Sequence, residues 1–565
     1  MRMIKTAAAL AGVVAAAACG KSSPPAPPVD TCTGATVTVP ANQATTVAAS
    51  DAWCVSLPAD GSTYVVTPNL ASGAGPSTAV GVEVGSGPPA AMDVLPEVAS
   101  GYAPALPSIT EKPRGLREQF DHRLREKERT FTPAMRAAAR ARVGAVIAPP
   151  VLGSTRIFNV LTSLTGGYTK DTGVVKFVGT RIVIYQSQVP PPGGWSDADI
   201  TALGTTFDTD LYPIDVNAFG APADVDNNGL VIVFLSKRIN MLTPSNVCAT
   251  QGYIAGYFDG TDEIPGLTGS NGAEIFYGIV PDPTASVSCI HSVAVTSQRT
   301  LGTFIHEFQH MISMNQHYLL RGGGQEDTWL NEGLSHIAEE LGSRYYEAKY
   351  PPPTGRTDPA QLFPDSSQGF IGGDLGNFYS YLQSTSPVSV TLFQSSGTLE
   401  ERGAAWLFLR WLADLKGEAI LSALVQTGQI GTANVAAQAG EPFPALFGDF
   451  SLALFTDSLP GYPRATAPAR DRFQSRNLRA LANRLFTTDP IDFPSPFPIQ
   501  ARTLPLAAKA STSMMVGTML HYKITMPASG SEMRLHFAAA GGGALPAGYN
   551  PQVTVFHCPS SSACQ

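Results

Sequence analysis

The chain has 565 residues, with 37 Lys and Arg against 45 Asp and Glu, and a formal net charge of −8. This length exceeds what one hydrophobic core usually organises, so two to four domains are expected. The charges are spread along the chain without a Lys/Arg block, and this pattern does not favour a nucleic-acid surface.

The N-terminus predicts a lipoprotein-type signal peptide over residues 1–19. Two basic residues precede an Ala-rich apolar run at 7–18, which is too short to span a membrane. The run ends at Cys19 in an order that resembles a bacterial lipobox, so we expect Cys19 to carry a lipid anchor. Ordinary cleavage after an A-x-A site is the alternative. Ser/Pro-rich residues 20–31 would form a tether, and the protein would be exported, as a cell-envelope lipoprotein or a secreted protein.

The chain has seven cysteines, which is an odd count. If Cys19 is lipidated, the other six are free to pair in an oxidising compartment. Six cysteines allow 15 pairings. No two of these cysteines have the C-x-x-C spacing of a zinc site. We prefer local pairs: Cys32 with Cys54, Cys248 with Cys289, and Cys558 with Cys564.

Composition divides the remaining chain into four regions. Short β-branched runs predict a small β domain over 32–95, either a permanent spacer or a pro-region. A charged, then Ala/Arg-rich stretch predicts a helical linker over 96–150, which could equally belong to a removable pro-segment. The region 151–460 begins with strands and continues into dense helices, whereas 461–565 suggests a C-terminal β domain. We therefore expect an α+β protein.

Two strongly helical segments in the central region carry the clearest motif. His306 and His310 are four residues apart, so on a helix both imidazoles leave the same face and can close on one ion. This geometry suits tetrahedral zinc. Glu307 lies between them and would act as the catalytic base on a water that the metal activates. Apolar neighbours predict that this helix is buried.

Downstream, Trp329-Leu330-Asn331-Glu332-Gly333 follows the H-E-F-Q-H-M segment. Together the two motifs resemble the gluzincin metallopeptidases, most closely the hyicolysin-like family of secreted bacterial peptidases. The resemblance implies a thermolysin-like unit over about half the chain, with a β-rich upper lobe and a helical lower lobe. It implies that Glu332 is the third zinc ligand. It also implies that Glu339 does not bind the metal but orients one of the ligand histidines.

The chain departs from aminopeptidase-N-like relatives in two respects. The 21 residues between His310 and Glu332 are a longer connection, which contains a Gly-rich loop. The signature that captures a free amino terminus is missing, and only Gly272-Ala273-Glu274 is similar to it. We therefore expect internal cleavage, with aminopeptidase action as the alternative.

The tyrosine that stabilises the oxyanion in aminopeptidase-N-like enzymes is also absent at the comparable place. Such a donor contributes about 3 kcal/mol to the transition state, so another group should substitute. The candidates are Tyr379, Tyr381, His336, His317 and Arg402.

A substrate strand is expected from the same resemblance. Gluzincins bind the peptide as an added strand on the sheet edge that precedes the zinc helix. Residues 274–280 are the predicted edge, which gives Glu274, Ile275, Phe276, Tyr277 and Gly278 as substrate-binding residues. An internal strand is the alternative.

A second metal site is suggested by Asp224, Asp226 and Asn228, the first half of a calcium loop followed by Gly229. The twelfth position of such a loop is Leu235 instead of Glu. A tight Asp/Asn/Gly turn is therefore the alternative to Ca²⁺.

These patterns together predict an exported zinc endopeptidase that acts on proteins or peptides, with a membrane anchor at Cys19 and no nucleic-acid partner. The rival interpretation is a surface adhesion or binding protein that retains zinc without catalysis.

Overall fold

The computed structural model describes residues 31–73, 78–87, 115–141, 148–349, 370–392, 398–560 and 563–564. The predicted signal segment, Cys19 and nearly all of the tether lie outside the described residues. Within the described residues, no helix has the length and apolar character needed to cross a membrane.

The described strands, in chain order, are β1 (Val37–Thr38), β2 (Ala44–Ala48), β3 (Val55–Leu57), β4 (Thr63–Leu70), β5 (Val80–Gly87), β6 (Thr155–Ser163), β7 (Gly166–Val178), β8 (Ile182–Ser187), β9 (Val231–Leu235), β10 (Gly256–Phe258), β11 (Ile275–Gly278), β12 (Arg502–Thr503), β13 (Lys509–Met514), β14 (Tyr522–Thr525), β15 (Met533–Ala539) and β16 (Pro551–His557).

The described α-helices are α1 (Leu116–Glu128), α2 (Pro133–Ala141), α3 (Asp197–Thr206), α4 (Tyr212–Phe219), α5 (Lys237–Asn240), α6 (Ser245–Gln251), α7 (Val293–Ser313), α8 (Thr328–Lys349), α9 (Gly372–Leu382), α10 (Leu399–Lys416), α11 (Ala419–Val425), α12 (Gly431–Ala439), α13 (Phe443–Thr456) and α14 (Leu478–Thr488). The protein therefore contains both helices and sheets, as the α+β expectation required.

The two ends of the chain build one pair of sheets instead of two separate β domains. One sheet has the order β1-β3-β15-β5-β13 and the other has the order β12-β14-β4-β16-β2. Their facing side chains share one hydrophobic core, to which Val84 and Phe537 contribute from the first sheet and Val66 and Val555 from the second. Each sheet contains strands from both ends of the chain. Neither end alone could therefore bury the apolar faces of its strands or pair their open edges.

This interleaving bears on the idea that residues 32–95 are a pro-region. β4 lies between β14 and β16, and β5 lies between β15 and β13. Removing these residues would withdraw a central strand from each sheet.

A third sheet, with the order β10-β11-β9-β8-β7-β6, lies in the central region. β8, β9 and β11 run parallel, and every residue of the β9 sequence VIVFL is buried. Strands buried on both faces need covers on both faces. Phe304 and Phe308 of α7 pack on one face, while Phe120 and Leu124 of α1 pack on the other.

The sheet order corrects the prediction of the edge strand. β11, predicted as the edge, is internal and pairs with β10 on one side and β9 on the other. The edge strand next to β11 is β10, which is only three residues long. A run of three residues is too short to give a strand signal in the sequence, and for that reason the prediction fell on the stronger neighbour.

α7 begins at Ser292, whose side chain accepts a hydrogen bond from the Val295 amide, and it continues through a π-helical segment over Met314–Leu320. α8 packs beside α7, and α10 packs beside α8. At the second contact Gly333 allows a close approach, because a Cβ there would lie 2.8 Å from Leu409 Cδ1 and 3.1 Å from Ala405 Cβ of α10. The residue before it, Glu332, is fully buried.

Three disulfides join Cys32 to Cys54, Cys248 to Cys289, and Cys558 to Cys564. This is the set preferred from the sequence. All three bridges are local, so no disulfide of the described residues ties the N-terminal region to the rest of the chain.

Candidate metal centre

The side chains of His306, His310 and Glu332 converge between α7 and α8. One donor atom from each lies within 4.8 Å of the others. His306 Nε2 is 3.7 Å from Glu332 Oε2, and His310 Nε2 is 3.6 Å from Glu332 Oε1. Donors that bind tetrahedral zinc at about 2.0–2.1 Å are about 3.4 Å apart, so the spacing suits a zinc ion.

The surroundings of these donors also fit a metal. All three side chains are almost completely buried, and Glu332 Oε1 has no hydrogen-bond partner among the described residues. A buried carboxylate oxygen without a donor is costly, and a cation at the centre of the cluster removes that cost. Two imidazoles and one carboxylate form a donor set typical of catalytic zinc.

The two histidines differ in their partners. His306 Nδ1 lies 2.8 Å from Glu339 Oε1, a contact that leaves its Nε2 directed at the cluster centre. Ser335 Oγ lies 3.1 Å from His310 Nδ1 and 3.3 Å from His310 Nε2, so this hydroxyl does not distinguish the two ring nitrogens. Glu339 is about two helical turns along α8 from Glu332, and α8 thereby brings both carboxylates to His306.

His306, His336 and Glu339 form a second group with three close donors. The His336 imidazole lies 2.8 Å from Asp374 Oδ1 and 3.2 Å from Glu339 Oε1. These are hydrogen-bond distances, shorter than the separation of two ligands on one zinc ion. We interpret the group as a polar network behind His306 and not as a second metal site.

Glu307 faces the sheet edge. Its Oε2 accepts a hydrogen bond from the amide of Phe258, the last residue of β10, at 2.9 Å. Burial raises the pKa of this carboxyl to about 7, although the positive charge of His306 opposes the shift. A carboxyl with a pKa near neutrality can both take and return a proton at physiological pH.

Arg402, on α10, joins the metal centre to a distant helix. Its Nη1 donates to Glu332 Oε2 at 2.8 Å, and its Nη2 donates to Asp121 Oδ2 of α1 at 3.0 Å. Burial would raise the pKa of Glu332, but Arg402, His310 and His306 outweigh it and hold the pKa well below its usual range. No motif in the sequence indicates that α1 reaches the centre.

α1 also contacts the sheet edge. Arg125 Nη2 donates to the Phe258 carbonyl at 2.8 Å, and the Gly260 amide donates to Glu128 Oε1 at 3.1 Å. These charged residues are buried, and Arg125 and Glu128 pair with each other at 3.1 Å. Asp121, Arg125 and Glu128 have the spacing of one helix face, and this pattern could have pointed to a buried contact of α1. A sequence does not show, however, which of its charged residues are buried.

The five candidates for the oxyanion donor differ in their positions and in their hydrogen-bond partners. The His336 ring lies 5.0 Å from the His306 ring, measured between centroids. Tyr379 donates to the Ser495 carbonyl and Tyr381 donates to the Met519 sulfur, so both hydroxyls are engaged elsewhere. Arg402 donates to Glu332, and His317 lies on the π-helical segment that follows α7.

A separate carboxylate cluster contains Asp224, Asp226 and Glu274, which also bring one oxygen each within 4.8 Å of the others. Asn228, the third predicted calcium ligand, is turned away. Its Oδ1 accepts from the Leu230 amide at 2.6 Å, and its Nδ2 donates to Asp226 Oδ2 at 2.8 Å. The cluster thus replaces Asn228 by Glu274, a residue 46 positions later that no loop motif contains.

Burial raises the pKa of Glu274 to about 8 and that of Asp226 to about 6. Glu274 therefore belongs to this cluster and not to a substrate-binding edge. The other residues predicted for that edge, Ile275, Phe276, Tyr277 and Gly278, are buried inside the sheet.

No protein-family model matches the chain. Among curated proteins, a neutral metalloprotease named ShpI, from Staphylococcus hyicus, is 24% identical over 237 residues. The aligned part covers 41% of this chain and 49% of that protein, so the match spans about half the length of the relative. This likeness and the His/Glu cluster together support a metal-binding centre at His306, His310 and Glu332.

Proposed function

We propose that the chain is a zinc-dependent endopeptidase of the gluzincin type, similar to the hyicolysin-like peptidases, with a thermolysin-like catalytic unit. The observation that carries the proposal is the convergence of His306, His310 and Glu332 beside the buried carboxyl of Glu307. The distant likeness to a neutral metalloprotease supports a hydrolase that acts on peptide bonds.

Zinc bound by these three residues would polarise the substrate carbonyl and lower the pKa of water to about 7. Glu307 would accept a proton from the attacking water and return it to the leaving amine. Its raised pKa suits both steps. Glu339 holds His306 in the tautomer that presents Nε2, and Arg402 orients Glu332.

His336 is the candidate for the oxyanion donor that the missing tyrosine leaves open. It lies beside His306, and Asp374 holds its Nδ1 side at 2.8 Å. Burial lowers the pKa of His336, but Asp374 and Glu339 outweigh burial and raise it, which favours an imidazole that carries a proton to donate.

Endopeptidase action is favoured over aminopeptidase action by the position of Glu274. An aminopeptidase needs an acidic group at the end of the cleft to hold the free amine of its substrate. Glu274, the one acidic residue of the Gly272-Ala273-Glu274 segment, is instead grouped with Asp224 and Asp226. An extended peptide would add to the edge strand β10 through main-chain hydrogen bonds.

Export of the protein is part of the proposal. Three disulfides in the described residues favour an oxidising compartment. The lipid anchor at Cys19 stays a prediction from the sequence.

The test compares the wild-type chain with Glu307→Gln and with Glu532→Gln, a Glu-to-Gln control just before β15, where Glu532 pairs with Arg534. Zinc content, measured on all three proteins, should be one ion per chain. Hydrolysis of an unfolded protein should be lost only in Glu307→Gln. Equal cleavage by wild type and Glu307→Gln would contradict the enzyme and favour the adhesion protein.

A blocked peptide and a free-ended peptide then separate the two peptidase classes. An endopeptidase cleaves both peptides. Cleavage of the free-ended peptide alone would establish aminopeptidase action.

A further inference from the structure

The carboxylate cluster of Asp224, Asp226 and Glu274 joins two neighbouring strands at their beginnings. Asp224 and Asp226 lie in the loop that enters β9, and Glu274 is the residue before β11. The two strands are parallel neighbours, with Ile232 opposite Ile275. The loop is tied to Glu274 by a hydrogen bond from the Val225 amide to Glu274 Oε1.

Two of the three carboxylates are buried with an oxygen that no group satisfies. Glu274 is 1% exposed and Asp226 is 5% exposed. Glu274 Oε2 and Asp226 Oδ1 have no hydrogen-bond partner among the described residues. Arg156 approaches only the other oxygen of Asp226, at 3.7 Å. Buried, mutually repelling oxygens of this kind are costly unless a cation lies between them.

The loop is shaped to present these oxygens. Asn227 and Gly229 both have positive φ, at 57° and 73°, which folds the loop back on itself. The amides of Asn228 and Gly229 donate to Asp224 Oδ1 at 2.9 and 3.2 Å. These contacts fix the carboxylate of Asp224, which stays exposed to solvent and could admit an ion together with its remaining waters.

We propose that Asp224, Asp226 and Glu274 bind one Ca²⁺ ion, which ties the loop before β9 to the start of β11. An all-oxygen donor set favours a hard cation over zinc. Donor oxygens at irregular positions favour Ca²⁺, which accepts six to eight ligands in flexible geometry, over Mg²⁺, which requires a near-ideal octahedron. Because β11 pairs with the edge strand β10, the ion stabilises the strand pair next to Glu307.

The experiment measures Ca²⁺ binding by equilibrium dialysis and by thermal unfolding, on the full chain carrying Glu307→Gln to prevent self-cleavage. Zinc is kept at a fixed buffered concentration, and Mg²⁺ is the comparison ion. The chain should bind one Ca²⁺ and unfold about 5 °C higher at saturating Ca²⁺. Adding Glu274→Gln should weaken Ca²⁺ binding at least about 10-fold and abolish the shift.

Two controls keep the result interpretable. Glu532→Gln should keep the full Ca²⁺ shift. Glu274→Gln should unfold no lower than its parent without Ca²⁺, because it relieves a buried repulsion, and Asp226→Asn should repeat its loss of binding. The proposal is overturned if the chain binds no Ca²⁺ at about 1 mM, if Mg²⁺ gives the same shift, or if Glu274→Gln binds like its parent.

A second and independent observation concerns α1, which crosses from the sheet edge to the helical region. Arg125 bonds to the Phe258 carbonyl, and Asp121, one turn earlier on α1, bonds to Arg402, the partner of Glu332. Both outward backbone groups of Phe258 are therefore occupied, the carbonyl by Arg125 and the amide by Glu307. These are the groups that an added peptide strand would use.

The metal centre is correspondingly closed. His306, Glu307, His310 and Glu332 are each at most 4% exposed. We infer that α1 occupies the substrate cleft and holds the peptidase latent until α1 is displaced. This inference rests on the proposed function. Because β4 and β5 lie inside the terminal sheets, a cut next to α1 would leave both fragments associated.

The test inserts a recognition sequence for a site-specific protease between Arg129 and Thr130, which are exposed in the turn after α1. A scrambled insertion is the matched control. Cutting should raise kcat/KM on an unfolded protein at least about 10-fold and should speed the removal of zinc by a chelator. The fragments should separate in denaturing gels but elute together in size-exclusion chromatography. Uncut Arg125→Ala should be more active than the uncut wild type.

The outcomes distinguish this inference from the function on which it rests. If the uncut chain is fully active and cutting changes neither activity nor zinc removal, α1 does not hold the peptidase latent. The proposed peptidase function would be unaffected by that result. If neither the uncut nor the cut form cleaves protein, and Glu307→Gln behaves like wild type, the proposed peptidase function is wrong. The inference about α1, which rests on that function, is then wrong as well.

Discussion

The zinc cluster and the carboxylate cluster are built from similar parts and differ in what surrounds them. Each brings three donor side chains within 4.8 Å, and each is largely buried. The zinc cluster has two imidazoles, lies between two long helices and has Glu307 beside it. The carboxylate cluster has oxygen donors only and lies where two strands begin. The donor type and the neighbouring groups, more than burial, indicate chemistry at the first and stability at the second.

The largest expected effect breaks the zinc cluster itself. Glu332→Ala removes one of three ligands and leaves Arg402 without its buried partner. We expect zinc to be lost at micromolar free zinc and kcat/KM to fall more than about 1,000-fold. Metal analysis and a protein-hydrolysis assay measure both effects. Retained zinc with full activity would mean that Glu332 is not a ligand.

His336→Ala separates the two interpretations of the network behind His306. If His336 stabilises the oxyanion, kcat should fall about 100- to 1,000-fold while zinc content stays at one ion per chain. His336→Gln keeps a donor and should recover part of the loss. Loss of zinc in His336→Ala would instead favour the cluster of His306, His336 and Glu339 as the metal site.

Glu339→Gln probes the hydrogen bond to His306 Nδ1. Weakening this contact should lower zinc affinity or activity about 10- to 100-fold. Glu347→Gln, on the same helix but paired with Arg476, is the matched control and should leave both unchanged. Equal behaviour of the two variants would show that Glu339 does not position His306.

A smaller effect is expected for stability, from a buried carboxylate that is satisfied without an ion. Glu326 accepts hydrogen bonds from the Asp327 amide, the Gly431 amide and Asn434. Glu326→Gln should lower the free energy of unfolding by about 1–3 kcal/mol, because an amide nitrogen then faces a donor. Glu274→Gln in Ca²⁺-free buffer should cause no such loss. Denaturant unfolding measures both.

The difference in unfolding free energy between wild type and Glu326→Gln should depend on pH. Burial raises the pKa of Glu326 to about 7 in the folded protein, above its unfolded value near 4.5. The folded state therefore holds the proton more tightly. The stability that this proton contributes is complete below about pH 4.5 and is lost as the pH rises through about 7. The advantage of wild type over Glu326→Gln should shrink across that window, and a constant difference would contradict the shift.

Much of the metal centre could be predicted because it is local. Two histidines on one helical turn need only the helix to converge, and the apolar neighbours of His306 predicted that helix. Glu332 and Glu339 needed a family resemblance as well, because a second helix brings them there. The carboxylate cluster was predicted in part, since Asp224 and Asp226 belong to one loop whereas Glu274 arrives through the pairing of β9 with β11.

The sequence by itself predicted the helix that carries His306, Glu307 and His310, and it favoured the local cysteine pairs, because these features depend on residues close together in the chain. Only the tertiary structure decided which strand forms the sheet edge, that Asp121 reaches Arg402 across 281 residues, and that Thr46 and Thr554 meet across 508. Such contacts depend on how buried faces pack together, and the local pattern of a sequence specifies which faces are apolar but not which of them meet.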